Sequence, residues 1–532
     1  MKNLLIILFF FSISYFSEAQ QIPVIYIETN KFHQEFLNIE NRDLGDNIIG
    51  KKIPLHHTFT KTDWEITRTG SEYLWQISFK SKPGIGLIIY FDDLQLPEGS
   101  SISAYCPDTE QKAGPFYKNF NILTNAFALP LIKNNQVVIE ARVPLGQEEN
   151  LIATISEIGC VPLNVKGIKG FGDTEPCFVN VNCPEGEPWS DQKRAVVRYT
   201  YTENGVIGNC TGTLVNNTAQ DDRNFFLTAQ HCAMNATDDE LGQTIFYFNY
   251  ESPNCDNPPN DDGLLDETVV GCSRIAASGD GNDPNGLPDG SDFHLFELNP
   301  IPESYNVYYA GWNRNDVDNL IGPGSIIQHP LSDIKKISKV SHFEQALSLS
   351  DVEAVIVTFP NGTGGNVEPN SSGSAMFDIS KLVVGTISYG SQGCVTNGYN
   401  AGSGGKFYYH WDQNGTEANR QLAPWLDPLN TGVMTLEGKN SGNVGIIQES
   451  AHSVNCLKVY PNPSTGILNV EIAEDISTII IRNLVGQIIY QIKDIKTMNY
   501  QLSLCDLHDG LYFLSVTTDK DKFYSKRVII KK

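Results

Sequence analysis

The most informative segment of the sequence is FFLTAQHC, residues 225–232. Its apolar run has the composition of a buried strand, and the strand delivers His231 beside Cys232. A histidine held at a strand end by a neighbouring disulfide is well placed to act as a general base. Cys210, which lies 22 residues upstream in NCTGTLVNNT, is the expected partner of Cys232. A lone histidine is more often structural, but this setting favours a catalytic role.

A second segment, SDFHLFEL at residues 291–298, places an acid at the start of an apolar run. Burying the Asp292 carboxylate is costly unless it is paired or hydrogen-bonded. Orienting an imidazole and stabilising its charged form would provide that partner. The alternative is a plain turn residue at a strand start. Glu297, on the same strand, is the weaker candidate for this acid.

A third segment, VEPNSSGSAMFD at residues 367–378, joins a turn of small residues to an apolar strand. A nucleophilic serine needs a tight turn whose backbone N–H groups point at the developing oxyanion. Gly373 supplies the backbone freedom that such a turn requires. Ser372 is therefore the candidate nucleophile, although a serine-rich turn taken alone is usually an ordinary loop.

Together the three segments resemble chymotrypsin-fold serine proteases, whose chain order is also His, Asp, Ser. His231, Asp292 and Ser372 are separated by 61 and 80 residues. TAQHC resembles the TAAHC of that clan, NSSGSA its GDSGGP, and SYGSQGC (388–394) its SWGSxGC strand. The resemblance implies a mainly β protein with a chymotrypsin-like double β-barrel and an active site between the barrels.

Residues 170–437 have a closer resemblance to bacterial lysyl endopeptidases. The similar segments are CFVNVNCPEG, TGTLVNNTAQDDRNFFLTAQHC, SDFHLFELN, AGWNR, HPLSDIKKIS, VEPNSSGSAMFD and APWLDPLNTG. The resemblance implies that His231 is the general base, Asp292 its orienting acid and Ser372 the nucleophile. It also implies an oxyanion hole formed by the backbone N–H groups of Asn370 and Ser372.

The same resemblance implies disulfides and substrate contacts. The implied disulfides are Cys177–Cys394, Cys183–Cys255 and Cys210–Cys232, and Cys272 is left unmatched. The implied substrate-binding residues are Ser388, Tyr389 and Gly390 on one strand, together with Trp312.

The sequence departs from the related proteins at two positions of the serine turn. Ser371 stands where the wider clan has an Asp that pairs with a new N-terminus during activation, and lysyl endopeptidases lack that Asp as well. Activation is therefore not expected to need an inserted ammonium group. Asn370 replaces a glycine, and asparagine tolerates unusual backbone angles better than most residues.

A third departure concerns the choice of substrate. Lysyl endopeptidases place a lysine-selecting Asp after the cysteine that matches Cys394, but the loop 395–411 contains no Asp or Glu. Asn366, where trypsin-type enzymes carry their selecting Asp, is also neutral. A lysine ammonium in such a pocket would be left unpaired, so we expect a preference for uncharged or bulky side chains. The alternatives are a true lysyl endopeptidase that uses another carboxylate, such as Glu368, and an inactive pseudoprotease that binds protein.

The flanking regions predict an exported precursor. A short basic start, an apolar run and the small residues before Gln20 predict a signal peptide at 1–19. Residues 20–169 resemble a propeptide and read as β-rich, with Lys166 and Lys169 as candidate maturation points. A polar linker at 438–455 precedes a small β-sandwich at 456–532. There VYPNPSTG, IRNLVGQIIY and LHDGLYFLSV resemble the type A sorting domain of Bacteroidota type IX secretion.

Composition limits the partners. The 38 basic and 62 acidic residues give a net charge of −24, which argues against nucleic acid as the main partner. Export makes the 11 cysteines candidates for disulfides. We expect no cofactor, no metal site and no transmembrane segment, and we interpret the acidic stretch 279–292 as a solvated loop rather than a calcium site. The expected partners are protein or peptide substrates and the type IX secretion machinery, at the cell surface or outside the cell.

Overall fold

A computed structural model describes most of the chain and divides it into two compact units, Met1–Gly442 and Asn443–Lys532. The predicted signal peptide and the candidate maturation points Lys166 and Lys169 lie outside the described residues. The described ranges are 22–29, 47–109, 111–117, 124–163, 170–279, 290–316, 323–347, 353–359, 365–390, 394, 401–442, 458–482, 488–504, 507–508, 510–519 and 523–532.

The N-terminal part of the first unit is all β, as predicted. Four segments with apolar alternation or short apolar runs, WQISF, GLIIYF, SISAY and QVVIEARV, lie within β4, β5, β6 and β9 of the following list. Its described strands are β1 (Val24–Tyr26), β2 (Ile48–Thr58), β3 (Glu65–Thr69), β4 (Glu72–Lys80), β5 (Ile85–Gln95), β6 (Ser101–Tyr105), β7 (Lys112–Tyr117), β8 (Phe127–Ile132), β9 (Gln136–Pro144) and β10 (Ile152–Pro162).

The rest of the first unit adds nineteen described strands and three short α-helices. The strands are β11 (Val179–Asn180), β12 (Val196–Glu203), β13 (Val206–Leu214), β14 (Phe225–Ala229), β15 (Ile245–Tyr247), β16 (Thr268–Val270), β17 (Cys272–Ala277), β18 (Phe293–Leu298), β19 (Tyr308–Tyr309), β20 (Trp312–Asn313), β21 (Gly324–Gln328), β22 (Lys336–Val340), β23 (His342–Leu347), β24 (Glu353–Thr358), β25 (Ala375–Phe377), β26 (Val383–Gly390), β27 (Ala401–Lys406), β28 (Thr435–Leu436) and β29 (Lys439–Asn440). The helices are α1 (Asp238–Gly242), α2 (Phe407–Asp412) and α3 (Ala423–Leu426).

Short 3-10 turns connect several of these elements. They span Lys61–Asp63, Glu148–Asn150, Glu187–Trp189, Gln192–Ala195, Glu303–Tyr305, Pro330–Ser332 and Ala418–Arg420. No helix within the described ranges is both long enough and apolar enough to span a bilayer.

Two large sheets form the chymotrypsin-like part of the fold. In the first, β14 pairs with β13 and β18, and β18 pairs with β17, all antiparallel. The second runs in the order β11-β22-β21-β25-β26-β27-β24-β23. All five residues of β14 are fully buried, because this strand is covered on both faces and reads as a continuous apolar run. The predicted architecture, mainly β with chymotrypsin-like sheets, is confirmed.

Only some of the strands of the N-terminal region form a sheet of their own. A smaller sheet, β1-β4-β9-β6-β7 with β3 beside β4, belongs to this region alone. Strands β2, β10, β5 and β8, however, continue the first large sheet through a β2–β13 pairing. Ile207, Tyr247 and Tyr250, which lie beyond the N-terminal region, share one apolar core with the N-terminal strands. The N-terminal region is therefore joined to the first large sheet by backbone hydrogen bonds and by a shared core.

The second unit is a small all-β domain. Its strands are β30 (Lys458–Tyr460), β31 (Ile467–Arg482), β32 (Ile488–Ser503), β33 (Gly510–Thr518) and β34 (Phe523–Ile530). Hydrogen bonds connect all five into one sheet, in which register shifts interrupt the long β31–β32 hairpin. Apolar side chains such as Leu468, Ile479 and Leu514 form its core. The β character agrees with the prediction, although the pairing is that of one connected sheet rather than of two separate ones.

Candidate active site

The first feature of the site is the meeting of His231 and Asp292. Strands β14 and β18 pair antiparallel, with Ala229 opposite Phe293, so that the end of one strand lies beside the start of the other. His231 Nδ1 lies 2.8 Å from Asp292 Oδ2, and the backbone N–H of His231 donates a 3.0 Å hydrogen bond to Asp292 Oδ1. The structure thus brings together two residues that are 61 positions apart.

The environment of this pair favours its charged form. Burial by itself raises the pKa of Asp292, but attraction to His231 and hydrogen bonds from His231 and Ser388 outweigh burial and lower it. Burial likewise lowers the pKa of His231, whereas the Asp292 charge and its hydrogen bond raise it, and the net shift is upward. Only 6% of the Asp292 side chain is exposed, against 21% for His231. The arrangement leaves the histidine accessible and its orienting acid sheltered.

A network of buried polar side chains, centred on the ring of His410, adjoins Asp292 through the neighbouring Ser291. The neighbouring Ser291 hydroxyl lies 2.7 Å from His410 Nδ1, and the Thr386 hydroxyl lies 3.0 Å from His410 Nε2. Burial lowers the pKa of His410 to about 3, so this ring is neutral at ordinary pH. Asn414 Nδ2 donates to the Ser291 hydroxyl at 2.9 Å. Sequence reasoning missed this network, because no motif relates α2 to the segment 291–298.

Ser372 lies in a turn that is pressed against β13 and β14. The backbone N–H of Thr211 donates to the Ser372 carbonyl at 3.0 Å. Gly373 has a φ of +84°, and a Cβ there would lie 2.1 Å from Thr228 Oγ1 and 2.3 Å from the Thr211 carbonyl oxygen. Only glycine combines this backbone angle with so close an approach. The turn therefore lies against the strands that lead to Cys210 and to His231.

The nucleophile candidate and the base candidate are not bonded to each other. The described hydrogen bonds of His231 run to Asp292, and none of those in the described part of the chain joins the Ser372 hydroxyl to the His231 ring. Catalytic hydrogen bonds are often long in structures without substrate. The residual exposure of Ser372 is 9%.

The oxyanion-turn residue Asn370 has a partner that the sequence did not predict. Its φ is +71°, in the left-handed region that asparagine tolerates. Its backbone N–H donates a 2.8 Å hydrogen bond to Oδ1 of Asn47, in the N-terminal region. Its side-chain Nδ2 donates to the carbonyls of Asn209 and Asn47 at 2.9 and 3.2 Å. No sequence pattern relates Asn47 to this turn, which begins 323 residues later.

The predicted substrate-binding residues divide into two groups. Ser388 and Tyr389 lie at the end of β26, where the Tyr389 ring stacks over His231 with centroids 6.2 Å apart and an interplanar angle of 16°. Tyr389 and Gly390 are exposed, as a strand that binds substrate requires. Trp312 differs, because its side chain has no exposed surface and its indole N–H donates to the Asn216 carbonyl. Trp312 is a core residue here, which corrects the expectation of a substrate contact.

The two candidate specificity residues, Asn366 and Glu368, and the weaker candidate for the orienting acid, Glu297, have different surroundings. Asn366 is fully buried, and its carbonyl accepts hydrogen bonds from Gln328 and Ser338. Glu368 is also buried, four positions before Ser372. Glu297, the weaker candidate for the orienting acid, is bound by Arg223 at 2.6 and 2.9 Å and does not contact His231 in the described bonds. Part of the neutral loop, residues 395–400, lies outside the described residues.

Six of the described cysteines form three disulfides. The structure joins Cys177 to Cys394, Cys183 to Cys255 and Cys210 to Cys232. The last pair connects β13 with the residue after His231. The free cysteines of the described ranges are Cys106, Cys160 and Cys272, all buried, and burial raises the pKa of Cys160 to about 12. Cys456 and Cys505 lie outside the described residues.

Metal-binding residues do not assemble in the described ranges, where no group of three or more His, Cys, Asp or Glu side chains could hold an ion. Most of the acidic stretch 279–292 lies outside them.

Comparison with known proteins places these features in a family context. Residues 171–409 match the model of the lysyl endopeptidase C-terminal domain, and residues 458–531 match that of the secretion system C-terminal sorting domain. The lysyl endopeptidase of Pseudomonas aeruginosa is 26% identical over 267 residues, which is 47% of this chain and 53% of that protein. The match therefore spans about half the length of that relative.

The solved structures that match part of this chain include a serine protease and a second protease. The thermostable serine protease AL20 from an extremophilic microorganism is 12% identical with a TM-score of 0.26, over 40% of this chain and 90% of that one. Protease Anisep from Arthrobacter nicotinovorans is 14% identical with a TM-score of 0.26, over the same shares of the two chains.

The sheets and the match of residues 171–409 indicate that this part of the larger unit is similar to chymotrypsin-like serine proteases. Within that class the chain resembles the bacterial lysyl endopeptidases, and it also carries a type IX secretion sorting domain. The sorting domain indicates secretion, with the product outside the cell or on its surface.

Proposed function

We propose that residues 170–437 are a serine endopeptidase that hydrolyses peptide bonds through an acyl-enzyme. The observation that carries this proposal is that the buried Asp292 forms two hydrogen bonds with His231, at 2.8 and 3.0 Å. This pair lies beside the Ser372 turn. A carboxylate held in this way has the geometry that fixes an imidazole tautomer and stabilises the imidazolium.

In the proposed mechanism the Ser372 hydroxyl attacks the scissile carbonyl carbon. His231 Nε2 accepts the hydroxyl proton and then passes it to the leaving amine, while Asp292 keeps the other ring nitrogen protonated. In the second half of the reaction, water attacks the acyl carbon while His231 accepts its proton. The proton then passes to the Ser372 oxygen as the acyl group leaves. The backbone N–H groups of Asn370 and Ser372 receive the developing oxyanion, a contribution of about 3–4 kcal/mol per donor in such sites.

The proposed specificity is for uncharged or bulky side chains before the cut bond. The neutral Asn366 and the absence of acids from the sequence 395–411 support this preference over lysine. The alternative within the same class is a true lysyl endopeptidase whose pocket carboxylate is Glu368, which is buried close to the serine turn.

A second candidate function is an inactive protein-binding module. Two observations favour it: the Ser372 hydroxyl is not bonded to His231 among the described contacts, and the Asn370 N–H already has a partner. The residues of all three proposed catalytic roles are nevertheless present, which favours the enzyme.

The flanking regions complete the proposal. Residues 20–169 act as a propeptide that follows the signal peptide 1–19. The linker 438–455 joins the protease domain to residues 456–532, which present the chain to the type IX secretion machinery. The substrates are proteins or peptides, and no cofactor takes part.

Labelling with a serine-reactive fluorophosphonate tests the enzyme against the binder. We expect Ser372→Ala to abolish labelling, whereas Ser371→Ala, which removes the adjacent buried hydroxyl, retains it. Labelling that persists in Ser372→Ala would overturn the assignment of the nucleophile. No labelling of the wild type, with or without its N-terminal region, would favour the binding module.

A cleavage-site profile on a denatured protein mixture tests the specificity, with Ser372→Ala as the background control. We expect cuts after aromatic or aliphatic residues. Cuts confined to the carboxyl side of lysine would establish the lysyl alternative, and Glu368→Gln would then be expected to weaken them.

A further inference from the structure

The backbone of Asp292 has an unusual conformation. Its φ is +59°, in the left-handed region that residues other than glycine rarely adopt. Gly290, two residues earlier, also has a positive φ, of +62°. Two left-handed residues therefore flank Ser291 immediately before β18 begins. A non-glycine residue in this conformation is strained, and the strain persists only where the surrounding structure holds the backbone in place.

Strand β18 and its neighbours hold the C-terminal side of Asp292. The Gln230 N–H donates to the Asp292 carbonyl at 3.2 Å, and the Phe293 N–H donates to the Ser278 hydroxyl at 3.1 Å. The Ser278 hydroxyl in turn donates to Gln230 Oε1 at 2.6 Å. These contacts act on the strand that follows the acid, and the residue before the acid is held by a different segment.

That residue, the buried Ser291, is bound by the segment 410–414 at the end of α2. The Ser291 N–H donates to Asn414 Oδ1 at 3.0 Å, and Asn414 Nδ2 donates to the Ser291 hydroxyl at 2.9 Å. The same hydroxyl lies 2.7 Å from His410 Nδ1. Ser291 is thus held once at its backbone and twice at its side chain. These three contacts, made by Asn414 and His410, are called the Ser291 clamp below.

The clamp residues are fixed in their turn. Asn414 Nδ2 also donates to the Tyr409 carbonyl at 3.1 Å, and His410 Nε2 lies 3.0 Å from the Thr386 hydroxyl on β26. Gly405 on β27 permits the close packing, because a Cβ there would lie 2.1 Å from the Ser291 carbonyl oxygen and 2.3 Å from His410 Cε1. The clamp therefore joins the start of β18, in the first large sheet, to two strands of the second.

We propose that Asn414 and His410 are positioning residues, which hold Ser291 and thereby keep Asp292 in the left-handed conformation in which both of its carboxylate oxygens meet His231. This inference rests on the proposed function. Without the clamp, the Asp292 backbone relaxes towards an ordinary negative φ, and its carboxylate moves away from the histidine. Because the clamp acts on the acid and not on the substrate, its loss is expected to lower kcat and to leave KM unchanged.

Steady-state kinetics of the enzyme matured from the full chain test the clamp, with the active fraction counted by fluorophosphonate labelling. We expect Asn414→Ala to lower kcat by about 10–100-fold, since a misplacement of about 1 Å costs up to about 10² in rate. An unchanged kcat in Asn414→Ala, or a rise in KM that accounts for the whole loss of kcat/KM, would overturn the proposal.

Asn216→Ala is the matched control. Like Asn414, Asn216 accepts a hydrogen bond from a backbone N–H, that of Asn217 at 2.9 Å, and donates one to a carbonyl, that of Glu437 at 2.8 Å. It makes no described contact with Ser291, Asp292 or His231, so kcat is expected to stay within about twofold of wild type. An equal loss of kcat in the two variants would overturn the proposal, because it would reflect general loosening of the fold.

A double-mutant cycle shows whether Asn414 acts through Ser291. Ser291→Ala removes the hydroxyl but keeps the backbone hydrogen bond to Asn414, so we expect a smaller loss of kcat than in Asn414→Ala. Adding Ser291→Ala to Asn414→Ala is expected to lower kcat by a smaller factor than adding it to the wild type, since members of one hydrogen-bond network are not additive. Factors that simply multiply would contradict the proposal.

A readout that needs no turnover separates the clamp from the proposed function. In the full-length Ser372→Ala protein, NMR titration of His231 reports its contact with Asp292. We expect Asn414→Ala to move the titration midpoint downward and Asn216→Ala to leave it in place, because only Asn414→Ala weakens that contact. An unmoved midpoint in Asn414→Ala would refute the clamp. A downward shift combined with no turnover by the wild type would mark the failure of the proposed function and not of the clamp.

Discussion

Asp292 holds His231 with both of its carboxylate oxygens, one on the ring Nδ1 at 2.8 Å and the other on the backbone N–H at 3.0 Å. The bidentate contact fixes the ring relative to its own backbone as well as to the acid. Glu297, five residues further along the same segment, is bound by Arg223 instead. The structure therefore distinguishes two acids that the sequence alone offered as candidates.

The first prediction concerns these two acids. We expect Asp292→Asn to lower kcat by about 10⁴, because an amide leaves the histidine in the wrong tautomer. Glu297→Gln, which removes the Arg223 partner and no contact to His231, is expected to keep kcat within about twofold, since a partly exposed pair contributes little. Steady-state kinetics of the two matured variants on one peptide substrate provide the comparison. A large loss of kcat in Glu297→Gln would refute the assignment.

The second prediction concerns pH. A general base must be neutral, and Asp292 raises the pKa of His231 above its ordinary 6.5. Activity is therefore expected to rise with pH through a midpoint above 6.5, measured as kcat/KM of the matured enzyme. In the Ser372→Ala background, NMR titration of His231 should give the same midpoint. Adding Asp292→Asn should move that midpoint below 6.5, because burial then acts unopposed; an unmoved midpoint would contradict the coupling.

The third prediction concerns the serine turn. We expect Gly373→Ala to lower stability by at least about 3 kcal/mol and to abolish labelling, because its Cβ would lie 2.1 Å from Thr228 Oγ1. Gly263→Ala has a similar backbone angle, with φ +76°, but no atom within 4 Å of its Cβ. We expect Gly263→Ala to lower the free energy of unfolding by only about 1–2 kcal/mol, which is the cost of placing alanine at a left-handed backbone angle. Denaturant unfolding in the Ser372→Ala background measures both, and equal losses would show that contact with β14 is unimportant.

The fourth prediction concerns His410 behind the acid. Its pKa falls to about 3 in the fold, so between pH 3 and 6.5 the unfolded chain binds a proton that the folded chain does not. Stability should therefore increase with pH in this window, by about 1.4 kcal/mol per pH unit from this group. Removing the group by His410→Gln should reduce the slope of the unfolding free energy against pH by about that amount. Identical slopes in the two proteins, both carrying Ser372→Ala, would count against a neutral buried ring.

Sequence reasoning was strongest where the chemistry lies in contiguous residues. The run before His231 predicts β14, because a strand covered on both faces must be apolar throughout. The small residues around Gly373 predict a tight turn for the same local reason. The resemblance of FFLTAQHC and the serine segment to chymotrypsin-fold proteases implied the correct fold class.

Sequence reasoning did not predict features that depend on which parts of the folded chain pack over a side chain. Trp312, matched to a tryptophan near the site, lies wholly in the core against Phe407 and Trp411. The pairing of β2 with β13, and the core that the N-terminal region shares with Ile207, likewise correspond to no sequence motif. Burial and strand pairing are properties of the assembled chain, so a motif comparison does not contain them.

Local composition and spacing identify the β-rich class, the three segments that carry His231, Asp292 and Ser372, and the acidic net charge. Only the folded chain shows that Asp292 rather than Glu297 contacts His231, and that the Asn370 N–H donates to Asn47. Both contacts join residues far apart in the chain, 61 and 323 positions respectively. Hydrogen bonds over such separations depend on strand register and turn geometry, which only the folded sheets define.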